Sequence, residues 1–178
     1  MRMYKRDLQS IIQERCFQGK AIILLGARQV GKTTLLKQII QEQHVAALYL
    51  NCDEPQTVTA LTNCNLKELQ MIIGANQFVV IDEAQKVNNI GLALKLIVDN
   101  MPNVQVIATG SSAFELRNCL NEPLTGRKYE YQMFPISSKE IYQSLGYIDL
   151  KGSLETRLIY GSYPDILNHA NDARELLR

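Results

Sequence analysis

The sequence predicts an α/β fold in which a parallel sheet carries crossover helices on both faces. Three observations predict it. Strand-like and helix-like runs alternate from residue 20 to residue 133, the order that favours parallel pairing over hairpins. Residues 26–34, Gly-Ala-Arg-Gln-Val-Gly-Lys-Thr-Thr, form a glycine-bearing loop between an apolar run, residues 21–25, and a helix-like run, residues 34–40. Phe78-Val79-Val80-Ile81 is unbroken and rich in β-branched residues, the pattern of a strand buried on both faces.

The elements follow in order. A first amphipathic helix over residues 5–16 sets Tyr4, Leu8, Ile11 and Ile12 on one face, and Gly19 ends it. The first strand covers 20–25, and a long helix runs from the loop to about residue 42. A second strand, 45–50, closes in Asn51-Cys52-Asp53-Glu54-Pro55, and short helices cover 57–62 and 66–73. The third strand is 78–81, followed by a helix over 89–101 with apolar Ile90, Leu92, Leu94, Leu96 and Ile97. The fourth strand, 104–109, ends in Gly110-Ser111-Ser112, with a short helix near 113–118. The alternating segment 127–133 reads as a fifth strand, and Ser137-Ser138-Lys139-Glu140 opens another helix. Beyond Gly146 the spacing predicts a helix over 153–160, a turn at 161–164 and a helix over 172–178 that no glycine or proline closes. Residues 1–145 are thus expected to form a core, and 146–178 a helical extension consistent with the start of a further C-terminal domain.

Composition bounds the function. The chain has 178 residues, about one domain. A net charge of +1 gives no global pull toward nucleic acid, so DNA is a partner that charge does not indicate. No run approaches the ~18 apolar residues of a membrane helix, and the N-terminus lacks the apolar stretch of a secretory signal; no membrane is expected as a partner. Cys16, Cys52, Cys64 and Cys119 include no C-x-x-C pair, and with only His44 and His169 they show no zinc spacing. Reduced thiols in a cytoplasmic protein are the expectation. His44, at a helix end, is expected to face the helix dipole.

The loop carries the chemistry. Its spacing is G-x-x-x-x-G-K-[ST], and the strand before it and helix after it supply the context that phosphate binding needs. Gly26 and Gly31 give the backbone its freedom, so the N–H groups of Gly26, Ala27, Arg28, Gln29, Val30, Gly31, Lys32, Thr33 and Thr34 can converge on phosphate oxygens at a helix N-terminus. Lys32 adds a mobile charge for the β- and γ-phosphates, and the Thr33 hydroxyl is a Mg²⁺ ligand.

Asp82-Glu83 ends the third strand, with room between Lys32 and the pair for one strand and its crossovers. Asp82 can hold the metal beside Thr33, and Glu83 can activate water in line with the γ-phosphate; alone, the pair could equally be a solvated strand end. Thr109, Ser111 and Ser112 end the strand expected between the loop strand and the Asp82 strand. A hydroxyl there, Ser111 first, could sense the γ-phosphate, or the cluster could cap the next helix. Arg127 could stabilise transition-state charge, in its own chain or a neighbour's, or form a surface ion pair. Arg28 could reach the nucleotide or face water, and Asp53 and Glu54 could join a supporting network or a turn. No Asn-Lys-x-Asp segment for guanine is present, so ATP is favoured over GTP. A small-molecule kinase is less favoured, because an acidic pair at this position suits water better than an acceptor alcohol.

The chain resembles the AAA-like ATPases of bacteria and archaea that carry a C-terminal DUF4143 domain. The resemblance rests on residues 25–35 and 49–53, on Ile81-Asp82-Glu83-Ala84-Gln85-Lys86, and on residues 109–112. It continues in Gly126-Arg127, Phe134-Pro135-Ile136-Ser137 and Gly161-Ser162-Tyr163-Pro164. It spans about residues 4–167. It implies a P-loop NTPase fold of the additional-strand type, with a five-stranded parallel sheet in the order 5-1-4-3-2, Mg²⁺-ATP binding, and a C-terminal module that is absent here or only begun. The expected function is Mg²⁺-dependent ATP hydrolysis, releasing ADP, with water activated by Glu83. The alternative is an ATP-bound switch or adaptor with little turnover that recruits DNA or a protein partner, as an oligomer or alone. A third is a nucleotide-binding remnant without activity.

Overall fold

The computed structural model describes residues 3–111, 116, 120 and 122–176. Five parallel strands form one sheet in the order β2-β3-β4-β1-β5, the order the resemblance implied, counted from the other edge. The strands are β1 (Ala21–Leu25), β2 (Ala47–Asn51), β3 (Phe78–Asp82), β4 (Gln105–Gly110) and β5 (Lys128–Gln132). β1, β3 and β4 are buried along their whole length, while the edge strands β2 and β5 are largely half-buried.

The period-two alternation of the central strands sorts their side chains into two cores. Ile23, Leu25, Val79, Ile81 and Val106 pack with Leu61 of α3 (Pro55–Leu61), Leu69 of α4 (Leu66–Ile73) and Leu94 and Ile97 of α5 (Ile90–Asn100). Ile22, Leu24, Phe78, Val80 and Ile107 pack with Ile12 of α1 (Asp7–Arg15) and Leu35, Leu36 and Ile39 of α2 (Lys32–Gln43). Helices on both faces leave every strand's carboxyl end on one open rim, where such sheets bind ligands.

β2 begins at Ala47 rather than Val45, because its partner β3 begins at Phe78 and pairs first with Ala47; the Ala46 carbonyl instead accepts from Gln77 N and Phe78 N at 3.0 and 3.1 Å. The helix near 113–118, Ser112 and Cys119 lie outside the described residues. His44 is the left-handed C-cap of α2, at φ 52°, in keeping with a helix-end role.

The Ser137 start signal is a complete capping box: Glu140 N donates to Ser137 Oγ at 3.1 Å and Ser137 N to Glu140 Oε2 at 2.8 Å. It opens α6 (Ser138–Leu145). After it come α7 (Tyr147–Gly152), α8 (Leu154–Tyr160), α9 (Pro164–Asn168) and α10 (Ala173–Leu176); α7 was not anticipated. Residues 162–165 fold back on the core, with Ile136 N donating to Ser162 O at 2.9 Å. No helix among the described residues is long and apolar enough to cross a membrane.

Candidate functional site

β1 ends at Leu25, and the chain turns through residues 26–31 into α2. Gly31 takes φ +97°, a left-handed angle that side chains disfavour. Gly26 is needed for space: a Cβ there would stand 2.5 Å from the Met133 carbonyl oxygen. That oxygen is backbone, in a residue whose N–H donates to Leu25 O at 2.7 Å, so it cannot withdraw without breaking the ladder to β5. Gly26→Ala should therefore push the loop off β5, costing about 1–3 kcal/mol and roughly tenfold or more in nucleotide affinity. Thermal melts and calorimetric titration check this, and a variant matching the parent in both would refute it.

Ala27, Arg28 and Gln29 form an exposed crest, and Val30 is buried beneath it. Lys32 is only 6% exposed, and its Nζ donates to the carbonyls of Gly26 (2.8 Å) and Ala27 (3.0 Å). Burial lowers its pKa, opposed by the Glu83 and Asp82 carboxylates. The ammonium thus sits across the mouth of the loop.

Asp82 ends β3 facing α2. Thr33 Oγ1 donates to its Oδ2 at 3.0 Å, Tyr49 OH donates to the same oxygen, and Thr109 Oγ1 donates to Oδ1. Burial raises the Asp82 pKa, but these hydrogen bonds outweigh it and hold the carboxyl below its ordinary range. A depressed carboxylate stabilises the fold above its ordinary pKa, and that contribution fades as pH falls through the lowered value. Burial and the Asp82 hydrogen bond raise Tyr49 above its usual value, so the phenol remains a donor at neutral pH.

Glu83 follows at φ +53°, a strained angle for a long side chain, and its N–H donates to Thr109 Oγ1 at 3.2 Å. Its Oε2 accepts from Ser111 Oγ at 2.8 Å. A cavity of about 550 Å³ opens over the loop, lined by Arg28, Gln29, Gly31, Lys32, Thr33, Thr34, Asp53, Glu83, Pro164 and Asp165, within the about 300–1,000 Å³ of small-molecule sites. A smaller, largely apolar cavity of about 150 Å³ adjoins it, lined by Met3, Tyr4, Arg6, Leu35, Gln38 and Ile136 and sharing Gly31, Thr34 and Pro164.

The loop, Thr33, Asp82, Glu83 and Ser111 thus converge on the rim. Thr109 is fully buried and holds the Asp82-Glu83 pair in place instead of facing the cavity. Asp53 reaches the cavity wall and pairs with Lys86. Arg127 requires a correction. It precedes Lys128, which pairs with Ala21 at the amino end of β1, and Ala21 N donates to its carbonyl at 2.9 Å. The loop leaves the other end, roughly 17 Å away along a strand of this length, and the guanidinium binds Asp99 at 2.7 Å. Arg127 cannot serve the site of its own chain, because a parallel β5 starts at the opposite rim.

Sequence reasoning missed Tyr49, Gln85, Arg6 and residues 164–165 as parts of the site. Arg6 and Glu140 are each 8% exposed and joined at 3.0 Å. Arg6 Nη1 also donates to Val30 O, inside the loop, at 2.8 Å, and Nη2 to Phe134 O at 2.5 Å. A capping glutamate that is also buried is a signal of an unseen cation, but its partner lies far away in sequence.

Comparison with known proteins bears on the family and the fold. The family of AAA domains AAA_14 matches residues 18–142, more than half of the chain. The uncharacterized protein MJ1637 of Methanocaldococcus jannaschii is 33% identical over 129 residues, 67% of this chain and 27% of the relative. The uncharacterized protein Rv2008c of Mycobacterium tuberculosis is 24% identical over 146 residues, 81% of this chain and 32% of the relative. The chain therefore spans about a quarter to a third of the length of these curated relatives. Among solved structures, the Walker-type ATPase Paby2304 of Pyrococcus abyssi matches at TM-score 0.60 and 20% identity, over 93% of this chain and 65% of that one. The ORC1 protein of Aeropyrum pernix, solved in complex with DNA, matches at TM-score 0.56 and 13% identity, over 80% and 48%. At such identities the likeness is one of fold: that of P-loop ATPases.

Proposed function

The chain belongs to the AAA_14 family of AAA domains, and on that premise we propose that it binds ATP with Mg²⁺ and hydrolyses the γ-phosphate with water activated by Glu83. The observation that carries the reading is the meeting of Thr33 and Asp82 at 3.0 Å beside the phosphate loop, with Glu83 lining the same cavity. A hydroxyl and a carboxylate are the hard oxygen donors that Mg²⁺ takes, so these residues suit the ion. When bound, Mg²⁺ neutralises charge on the β- and γ-phosphate oxygens. The chain's own parts do the rest. The loop amides of residues 26–34 and Lys32 hold the phosphates, Glu83 takes a proton from water, and Ser111 reports the γ-phosphate. The largely apolar cavity beside Thr34 suits a purine ring.

Glu83→Gln should leave ATP affinity within about twofold and slow phosphate release roughly 100-fold, the scale of general-base loss. Parallel titration calorimetry and a phosphate-release assay decide it; undiminished release by the variant would remove Glu83 from the mechanism.

A second reading is favoured by the position of Arg127: an ATP-bound switch or adaptor that turns over little alone. With that arginine at the far rim, transition-state charge in this site would be met by a neighbouring subunit's arginine or another partner's. DNA is a candidate partner, since a structural relative was solved on it. Phosphate release measured with and without DNA, across protein concentration, separates the two. The free thiols of Cys16, Cys52 and Cys64 suit a reducing cytoplasm. Residues 1–145 serve as the ATPase core and 146–178 as a helical extension.

A further inference from the structure

We propose that Gln85 is the positioning residue for Glu83, holding the carboxylate and Ser111 together through one amide nitrogen. This rests on the reading of Glu83 as the water-activating group. Gln85 lies in the short 3-10 turn Ala84–Lys86, directly after β3. Its Nε2 stands 2.6 Å from Glu83 Oε2 and 3.2 Å from Ser111 Oγ. A primary amide has two N–H donors and one carbonyl acceptor, so its nitrogen can serve both acceptors while Oε1 turns away from them. The Ser111 hydroxyl, accepting from Gln85, sends its single hydrogen to Glu83 Oε2 at 2.8 Å. The triangle has one direction: the amide donates to both partners and the hydroxyl donates to the carboxylate.

The amide cannot be turned over. Reversed, it would set Oε1 against the carboxylate, acceptor facing acceptor. In place, Oε1 points toward Gly110, where a Cβ would stand 2.9 Å away. It is buried there without a hydrogen-bond partner among the described residues. The absent side chain at Gly110 is what makes room for the amide. Glu83 is also gripped through its backbone, by the hydrogen bond from its N–H to Thr109. Thr109 therefore sets where the Glu83 main chain sits, while Gln85 and Ser111 set where its carboxylate points. A turn glutamine that merely faced water would have neither donor committed. Because Ser111 has one hydrogen, Gln85 also sets which acceptor receives it.

Gln85→Met keeps the chain length and removes both donors. The expected result is ATP affinity within about twofold of the parent by titration calorimetry, with phosphate release slowed tenfold or more. Placed in a Glu83→Gln background, the same substitution should change release less than twofold, because its route runs through the carboxylate. Its crystal structure, which needs no turnover, should show Glu83 and Ser111 beyond hydrogen-bond reach. If the methionine variant folds poorly, the uncharged Gln85→Leu, which also lacks both donors, replaces it with the same expectations. Parental release by the single variant, an equal further loss in the Glu83→Gln background, or a retained Glu83–Ser111 hydrogen bond would each overturn the proposal. Parental release by Glu83→Gln alone would instead refute the role of Glu83, and Gln85's role with it.

Discussion

Lys32→Ala is expected to lose at least about 100-fold in ATP affinity while leaving the fold intact. Its ammonium now spends two hydrogen bonds on the Gly26 and Ala27 carbonyls, both reachable from the cavity where phosphates would lie. Charge-assisted hydrogen bonds are worth about 1.5–3 kcal/mol each, so two transferred to phosphate oxygens amount to roughly 3 kcal/mol or more, the quoted factor. Stability should move little or rise. The Lys32 pKa is lowered, with burial the largest cause. A lysine depressed in the folded state carries an unfavourable charge below its folded pKa, relieved as pH rises through it. Removing that charge at neutral pH relieves its desolvation and offsets the loss of the bonds to the Gly26 and Ala27 carbonyls. Calorimetry with ATP and Mg²⁺, alongside a thermal melt, tests both halves. Parental affinity in the alanine variant would show that the loop is not the phosphate site.

Arg6→Ala should be the most destabilising single change described here, by about 3–5 kcal/mol. The guanidinium serves three acceptors from separate segments: Glu140 of α6, Val30 of the phosphate loop and Phe134 after β5. Truncation would leave a nearly buried carboxylate without its cation. Glu140 would keep only the N–H groups of Asp7 at 2.9 Å and Ser137 at 2.8 Å. For a chain of 178 residues this corresponds to a drop in Tm of roughly 10 °C. ATP affinity should fall as well, because Val30 loses the tie that sets the loop against the N-terminal segment. Arg6→Lys should recover only part of the loss, since one ammonium cannot match the planar fork that reaches three directions. Scanning calorimetry decides the matter. A melting temperature within about 2 °C of the parent would mean that the pair is dispensable.

Much of this protein was readable from short stretches of chain. The five strands, the loop between β1 and α2, and the Ser137–Glu140 cap all arise from neighbours in sequence. Periodicity, glycine placement and capping chemistry act over a few residues, so a linear pattern reports them well. The strand order needed more than pattern and came through the family resemblance. β2 was displaced by two residues because its start is set by its partner Phe78, not by its own apolar run.

The side chains that tune the site were harder to see. Tyr49 reaches Asp82 from a neighbouring strand, Arg6 reaches Glu140 from the opposite end of the chain, and Gln85 joins Glu83, its near neighbour in sequence, to Ser111 at the end of another strand. For Arg127 the structure shows the surface ion pair, with Asp99, and not a place beside the loop of its own chain: adjacency to Gly126 says nothing about which rim of the sheet a residue occupies.

The order of residues specified a glycine-bearing turn with phosphate-loop spacing and an acidic pair, since each depends on chemistry carried within a single loop or strand end. Packing set the depth of Lys32, the hydrogen-bond partners of Asp82 and Glu83, and the exile of Arg127 to the far rim. Those features arise between segments remote in the chain, where burial and hydrogen-bond geometry exist only once the sheet has assembled.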